Sequence, residues 1–317
     1  MMALSSIAAS SFLDCTLHTS YKFFISSPLL VSFTGLILCF FFASLHYKTT
    51  KQKSWIVTTI SSFVMSIASL PFVWDYVLGG GSVLHIRTLP VFAAPINRFF
   101  QSYLAADLIL GTFFYRSRLS FVEGWIHHSI YILVVELAIQ HSWPHIFCLC
   151  ASMEIPTFIL GLTTLHPRLR NNSLFASSFF ATRIVFHIIL TVAYFSEETR
   201  VAATGGSFIP AILLALVFPL HVVWFIGCIK GFIRRAAEVQ QVQSPPIINL
   251  EIISVAAAPP TVPELSTPAR GPRGTDLFPV PFPRFSGAHH HLRSFENILE
   301  KFHLDAFDAR LGELWFW

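Results

Sequence analysis

The chain has 317 residues, 54% hydrophobic and only 12% charged, with 33 Phe and a mean hydropathy of +0.62. That balance excludes an ordinary soluble protein of this length and predicts an all-α polytopic membrane protein. The net charge of +4 makes no case for nucleic acid, because Lys and Arg gather mostly at the ends of apolar runs.

Residues 1–21 lack a basic start, and the first long apolar run begins near Ser27, so an uncleaved anchor is expected rather than a cleaved signal peptide. Runs long enough to cross about 30 Å of hydrocarbon fall at 27–45, 54–78, 97–115, 124–140, 144–165, 173–195 and 208–229, which predicts seven transmembrane helices. The fourth run is short and carries His127, His128 and Glu136; it is retained because its loss would break the alternation of basic loops. Lys48, Lys51 and Lys53, then Arg116 and Arg118, Arg168 and Arg170, and Lys230, Arg234 and Arg235 all fall on one side, the cytosolic one. The opposite loops hold scattered Lys22, Arg87, Arg98 and Arg200. The N-terminus is therefore expected in the lumen and the C-terminus in the cytosol, with the sequon Asn171-Asn172-Ser173 out of reach of glycosylation.

Gly79-Gly80-Gly81 lacks the Lys-Ser/Thr of a phosphate loop and reads as a turn, while Pro71, Pro156 and Pro219 fall inside spans, where kinks can open a cavity. Cys15, Cys39, Cys148, Cys150 and Cys228 have no zinc spacing, and the last four are expected as small buried hydrophobes. From residue 236 the chain turns Pro-rich and is expected to be disordered. Beyond it, Phe295, Ile298, Leu299, Phe302 and Ala306 repeat at helical spacing, as in an amphipathic helix on a membrane or a protein partner; a weakly structured tail is the alternative. Residues 289–291, three consecutive His, cannot all face one metal, and no metal site is expected.

Ionisable groups inside spans are costly and need a partner or a task. Counting about 1.5 Å per residue from the cytosolic ends puts His127 and His128 roughly 5 Å deep, Asp107 and His221 near roughly 12 Å, and Arg183, Glu154 and Glu136 at roughly 15–18 Å. These groups share one half of the bilayer. Arg183 is expected to pair with Asp107 or Glu154, and His187, four residues on, extends its stripe. Such pairs can simply glue helices together. Two adjacent imidazoles point about 100° apart on a helix, so one can face a cavity as general base or acyl acceptor while the other supports packing.

The runs Tyr103-Leu104-Ala105-Ala106-Asp107-Leu108, Trp125-Ile126-His127-His128, Met153-Glu154-Ile155-Pro156-Thr157-Phe158 and Phe179-Phe180-Ala181-Thr182-Arg183-Ile184 resemble, in order and spacing, the TLC domain shared by ceramide synthases and translocation-associated membrane proteins. The resemblance covers about residues 54–235. It implies a six-helix bundle of two inverted halves around a cytosol-facing cavity, with 27–45 as an extra helix, residues 1–53 as an N-terminal segment and 236–317 as a tail. It also implies residence in the endoplasmic reticulum, a role in lipid homeostasis and a long-chain acyl group in the cavity. The departure is at Cys150-Ala151-Ser152-Met153-Glu154-Ile155-Pro156, where one acid stands in place of the acid pair of the classical synthases. The likeness is therefore to a branch outside them.

The expected activity is acyl transfer, with acyl-CoA as co-substrate and no bound cofactor. His127 and His128 would act as base or acyl acceptor, with Asp107 and Glu154 orienting an imidazole. Arg183 would hold a phosphate or carboxylate head or balance the acids, and His187 and His221 would line the substrate site. The alternative is a non-enzymatic lipid sensor or cargo receptor. Transport of a small solute is a third reading, and it lacks a second polar vestibule.

Overall fold

The computed structural model describes residues 27–243; Cys15, the Pro-rich stretch, the His run and the amphipathic segment of the tail lie outside the described residues. The chain divides into two units, Met1–Ile229 and Lys230–Trp317, and the helical bundle with its cavity belongs to the first. In the second, the Arg235 guanidinium lies 5.0 Å from the Phe232 ring.

All described regular structure is helical: α1 (Ser27–His46), α2 (Thr50–Leu78), α3 (Pro90–Phe114), α4 (His127–Gln140), α5 (Pro144–Cys150), α6 (Ile155–Leu165), α7 (Asn172–Phe179), α8 (His187–Phe195), α9 (Glu197–Thr204) and α10 (Ile209–Gln243). Short 3-10 turns at Val83–His85, Arg116–Arg118 and Pro167–Leu169 lie between them, and three further departures from α geometry run directly into the helices: π turns at Phe121–Ile126 and Phe180–Phe186, and a 3-10 turn at Ala151–Glu154. Pro156 falls in the first turn of α6, where no intrahelical hydrogen bond is lost, so the break between α5 and α6 is the 3-10 turn itself. Gly79 to Gly81 do make a turn, with left-handed φ at Gly80 (67°) and Gly81 (83°), which glycine adopts at least cost.

Five helical stretches are long and apolar enough to cross a membrane: Pro28–His46, Thr50–Leu78, Pro144–Leu165, Asn172–Phe195 and Ile209–Arg235. The protein is a multi-pass membrane protein. These five coincide with five of the seven expected spans; the other two runs, 97–115 and 124–140, lie in helices that do not combine the same length and apolarity. α3 is long enough, at 25 residues, but it carries Asn97, Gln101, Ser102 and Asp107, all of them buried. It packs on α1, α2, α4 and α5, so its polar groups meet other helices instead of lipid. Hydropathy reads compatibility with lipid, and the polar side chains of α3 that are buried against neighbouring helices escape that constraint.

Small residues set the spacing of the interior. Thr59, Ser62, Ser66 and Ser69 of α2 are buried and return their hydroxyls to carbonyls three or four residues back, as Ser66 does to Ser62 O at 2.6 Å. Facing them, Gly161 of α6 lies so close to Thr59 that an added Cβ would collide with it. The outward face is apolar, with Phe42, Leu45, Trp74 and Leu133 exposed, as hydrocarbon requires. Among the cysteines, Cys148 and Cys228 are buried and Cys150 partly so; Cys39 is exposed, contrary to expectation, because α1 turns much of its surface outward.

Candidate functional site: a cavity lined from α4 and α10

The irregular turns carry the two charged residues of the cavity wall, Glu154 and Arg183. A π turn admits an extra residue and changes the phase of the side chains that follow it. One such turn ends at Ile126, immediately before His127; the other contains Arg183 and ends immediately before His187. The 3-10 turn supplies Met153 and Glu154.

Arg183 is almost fully enclosed by its partners. Its Nε donates to Met153 O at 2.7 Å, and Nη2 donates to Glu154 Oε1 at 3.2 Å and Thr157 Oγ1 at 2.7 Å. The rings of Phe179 and Trp224 lie 5.4 and 5.3 Å from the guanidinium carbon, in the range of cation–π attraction. Of the two acids expected for this arginine, Glu154 is the partner. Asp107 is engaged elsewhere.

His187 and His221 join two of the membrane-crossing helices through a buried contact of 2.9 Å between their Nδ1 atoms. The Nε2 of His187 also meets Leu214 O at 2.8 Å, and the ring of His221 lies against the Arg183 backbone. The sequence marks both histidines separately, and the structure makes them a pair.

The adjacent histidines part company. His127 lines a cavity, stacks at 4.4 Å on Tyr131 and lies 6.0 Å from Trp224; among the described residues it makes no hydrogen bond. His128 is buried away from the cavity, with Nδ1 3.4 Å from Asp107 Oδ2 but not aligned for a hydrogen bond. Tyr115 donates to Asp107 Oδ1 at 2.7 Å, and Tyr103 packs 5.7 Å from the His128 ring. Asp107 and His128 thus form a cluster between α3 and α4, separate from the cavity lining. Glu136, expected in the same polar layer, pairs instead with Arg98 and accepts from Gln101 and Gln140. The charge pattern puts Arg98 in a loop, whereas it lies inside α3.

The cavity, of about 1050 Å³ including its opening, is graded along its length. On α4 the lining residues are His127, Tyr131, Val134 and Ala138; on α10 they are Trp224, His221, Val217 and Leu214. Both helices thus run from polar to apolar, and on α4 the gradient covers roughly 16 Å at 1.5 Å per residue. Arg183, His127 and His221 gather around Trp224, with His221 5.8 Å from its ring. Met65, Phe100 and Phe147 complete the apolar part.

No family model, curated protein or solved structure matches the chain.

Among the described residues no group of three His, Cys, Asp or Glu is placed to hold a metal ion. Thr157 and Trp224 are site residues that sequence reasoning misses. Each stands three residues after a marked one, Glu154 and His221, and so shares its helical face.

Proposed function

We propose that this is a TLC-type lipid-homeostasis protein of the endoplasmic reticulum, whose cavity receives the long chain of a membrane amphiphile and whose polar end handles its head. The observation that carries the reading is the gradient along α4 and α10, polar at His127 and His221 and apolar at Ala138 and Leu214. The helix order is compatible with six helices after α1, as the family resemblance implies.

In the catalytic form of the proposal, acyl-CoA is the co-substrate. His127 takes the proton of an acceptor hydroxyl or amine as that atom attacks the thioester carbonyl, and the CoA thiolate leaves and receives the proton. His128, enclosed beside Asp107, supports the backbone that presents His127. Arg183 balances Glu154 rather than holding an anionic head.

One observation favours the alternative, a non-enzymatic lipid sensor or cargo receptor: among the described residues His127 has no hydrogen-bond partner to orient it, as a catalytic base usually has. Lipid profiling separates the two. Cells lacking the protein are rescued with wild type, His127→Ala, Ala138→Trp, which fills the apolar end, or a chain ending at Arg235. The catalytic form predicts that His127→Ala accumulates normally yet fails to restore the lipid profile. Full restoration by His127→Ala with failure of Ala138→Trp would establish the binding form. Failure of the shortened chain alone would move the function to the tail.

A further inference from the structure

If the cavity is a lipid site, as proposed above, its hydrogen-bonding groups also define the head it accepts. A carbonyl only accepts, so the 2.8 Å contact with Leu214 O places the hydrogen of an uncharged His187 on Nε2. Its Nδ1 is then a bare acceptor, and the 2.9 Å contact between the two Nδ1 atoms requires His221 to donate. An uncharged His221 held in that tautomer carries a lone pair on Nε2, on a residue that lines the cavity. Glu154, a second acceptor in the lining, uses Oε1 toward Arg183. Arg183 is the cation of the lining, and its charge is opposed by Glu154 while Met153 O and Thr157 take further N–H groups.

A head that only accepts, or that carries negative charge, finds poor complements there. A head with an O–H group finds an acceptor in place. We propose that the cavity selects an uncharged, hydroxyl-headed amphiphile, of the chemical class of long-chain alcohols and acylglycerols, whose O–H donates to Nε2 of His221, and that it discriminates against anionic phosphate heads. His187 is a positioning residue: it fixes the tautomer of His221 without touching the ligand.

The test uses the full chain in detergent micelles, titrated with hexadecanol, its methyl ether and hexadecyl phosphate, and read by the fluorescence of Trp143 and Trp224 in the cavity wall. The alcohol should bind about tenfold tighter than the ether, the value of one hydrogen bond, and the phosphate weakest of the three. His221→Phe should abolish the alcohol's advantage while leaving the ether's affinity unchanged, and His187→Phe should reduce it; loss of packing alone would weaken both ligands equally. If a variant does not fold, the order of the three ligands on wild type decides. Equal binding of alcohol and phosphate, or an alcohol advantage that survives His221→Phe, overturns the inference while the lipid site stands. If none of the three binds to wild type, the cavity reading falls and takes the inference with it.

Discussion

Two Arg–Glu pairs lie inside the helical bundle, and they differ in what surrounds them. Arg98 and Glu136 are closed by amides: Gln101 accepts from Arg98 at 2.7 Å and donates to Ile132 O and to Glu136, and Gln140 adds a further donor to Glu136. Arg183 and Glu154 instead form part of a cavity wall, beside three histidines and a graded apolar face. The first pair fastens α3 to α4. The second has the same charges but lines a cavity, and that position separates a candidate site from helix glue.

Substitutions should separate them by size and by kind. Arg98→Ala strands Glu136 in the bundle and is expected to cost about 3–5 kcal/mol in denaturant unfolding in micelles, whereas the double variant Arg98→Met with Glu136→Leu should recover most of it. Arg183→Met removes hydrogen bonds to a carboxylate, a hydroxyl and a carbonyl, at about 2–3 kcal/mol, less than Arg98→Ala because Glu154 keeps access to the cavity. A larger loss for Arg183→Met than for Arg98→Ala would reverse their assignment. Tyr115→Phe should cost about 1 kcal/mol through Asp107, leaving any lipid activity of the folded fraction intact.

The smallest effect is expected at the end of α2, where the exposed Arg87 meets Asp75. Asp75 accepts from the guanidinium at 2.9 Å and holds the Arg87 pKa above the ordinary arginine value, chiefly through the side-chain hydrogen bond and then through charge. A raised cation stabilises the fold below its unfolded pKa and loses that contribution only as pH climbs through the folded one. Both lie far above neutrality, so Arg87→Ala should leave the melting temperature almost unchanged and its pH profile near neutrality the same. A clear pH-dependent loss near neutrality would contradict that assignment.

Much of the fold was legible because lipid imposes long apolar runs, as along α2 and α10. α3 was legible as a helix, but its start at Pro90 was not, since Pro95 interrupts the run and reads as a break although it lies within the helix. The site divides in the same way. Charge and depth offered Asp107 or Glu154 to Arg183, and the structure selects Glu154. The separation of His128 from His127, the capture of Glu136 by Arg98, and the meeting of His187 with His221 across 34 positions depend on helix phase. Two π turns alter that phase in the very segments that lead to His127 and His187, and no composition rule announces them.

The central claim is that the cavity bounded by α4 and α10 holds the chain of an amphiphile. Its most direct measurement is mass spectrometry of lipids retained by the full chain after purification, comparing wild type with Ala138→Trp at equal folded amount. The account predicts that a hydroxyl-headed, long-chain species accompanies the wild type and is lost from Ala138→Trp. The same lipids in the same amount on both proteins would contradict it.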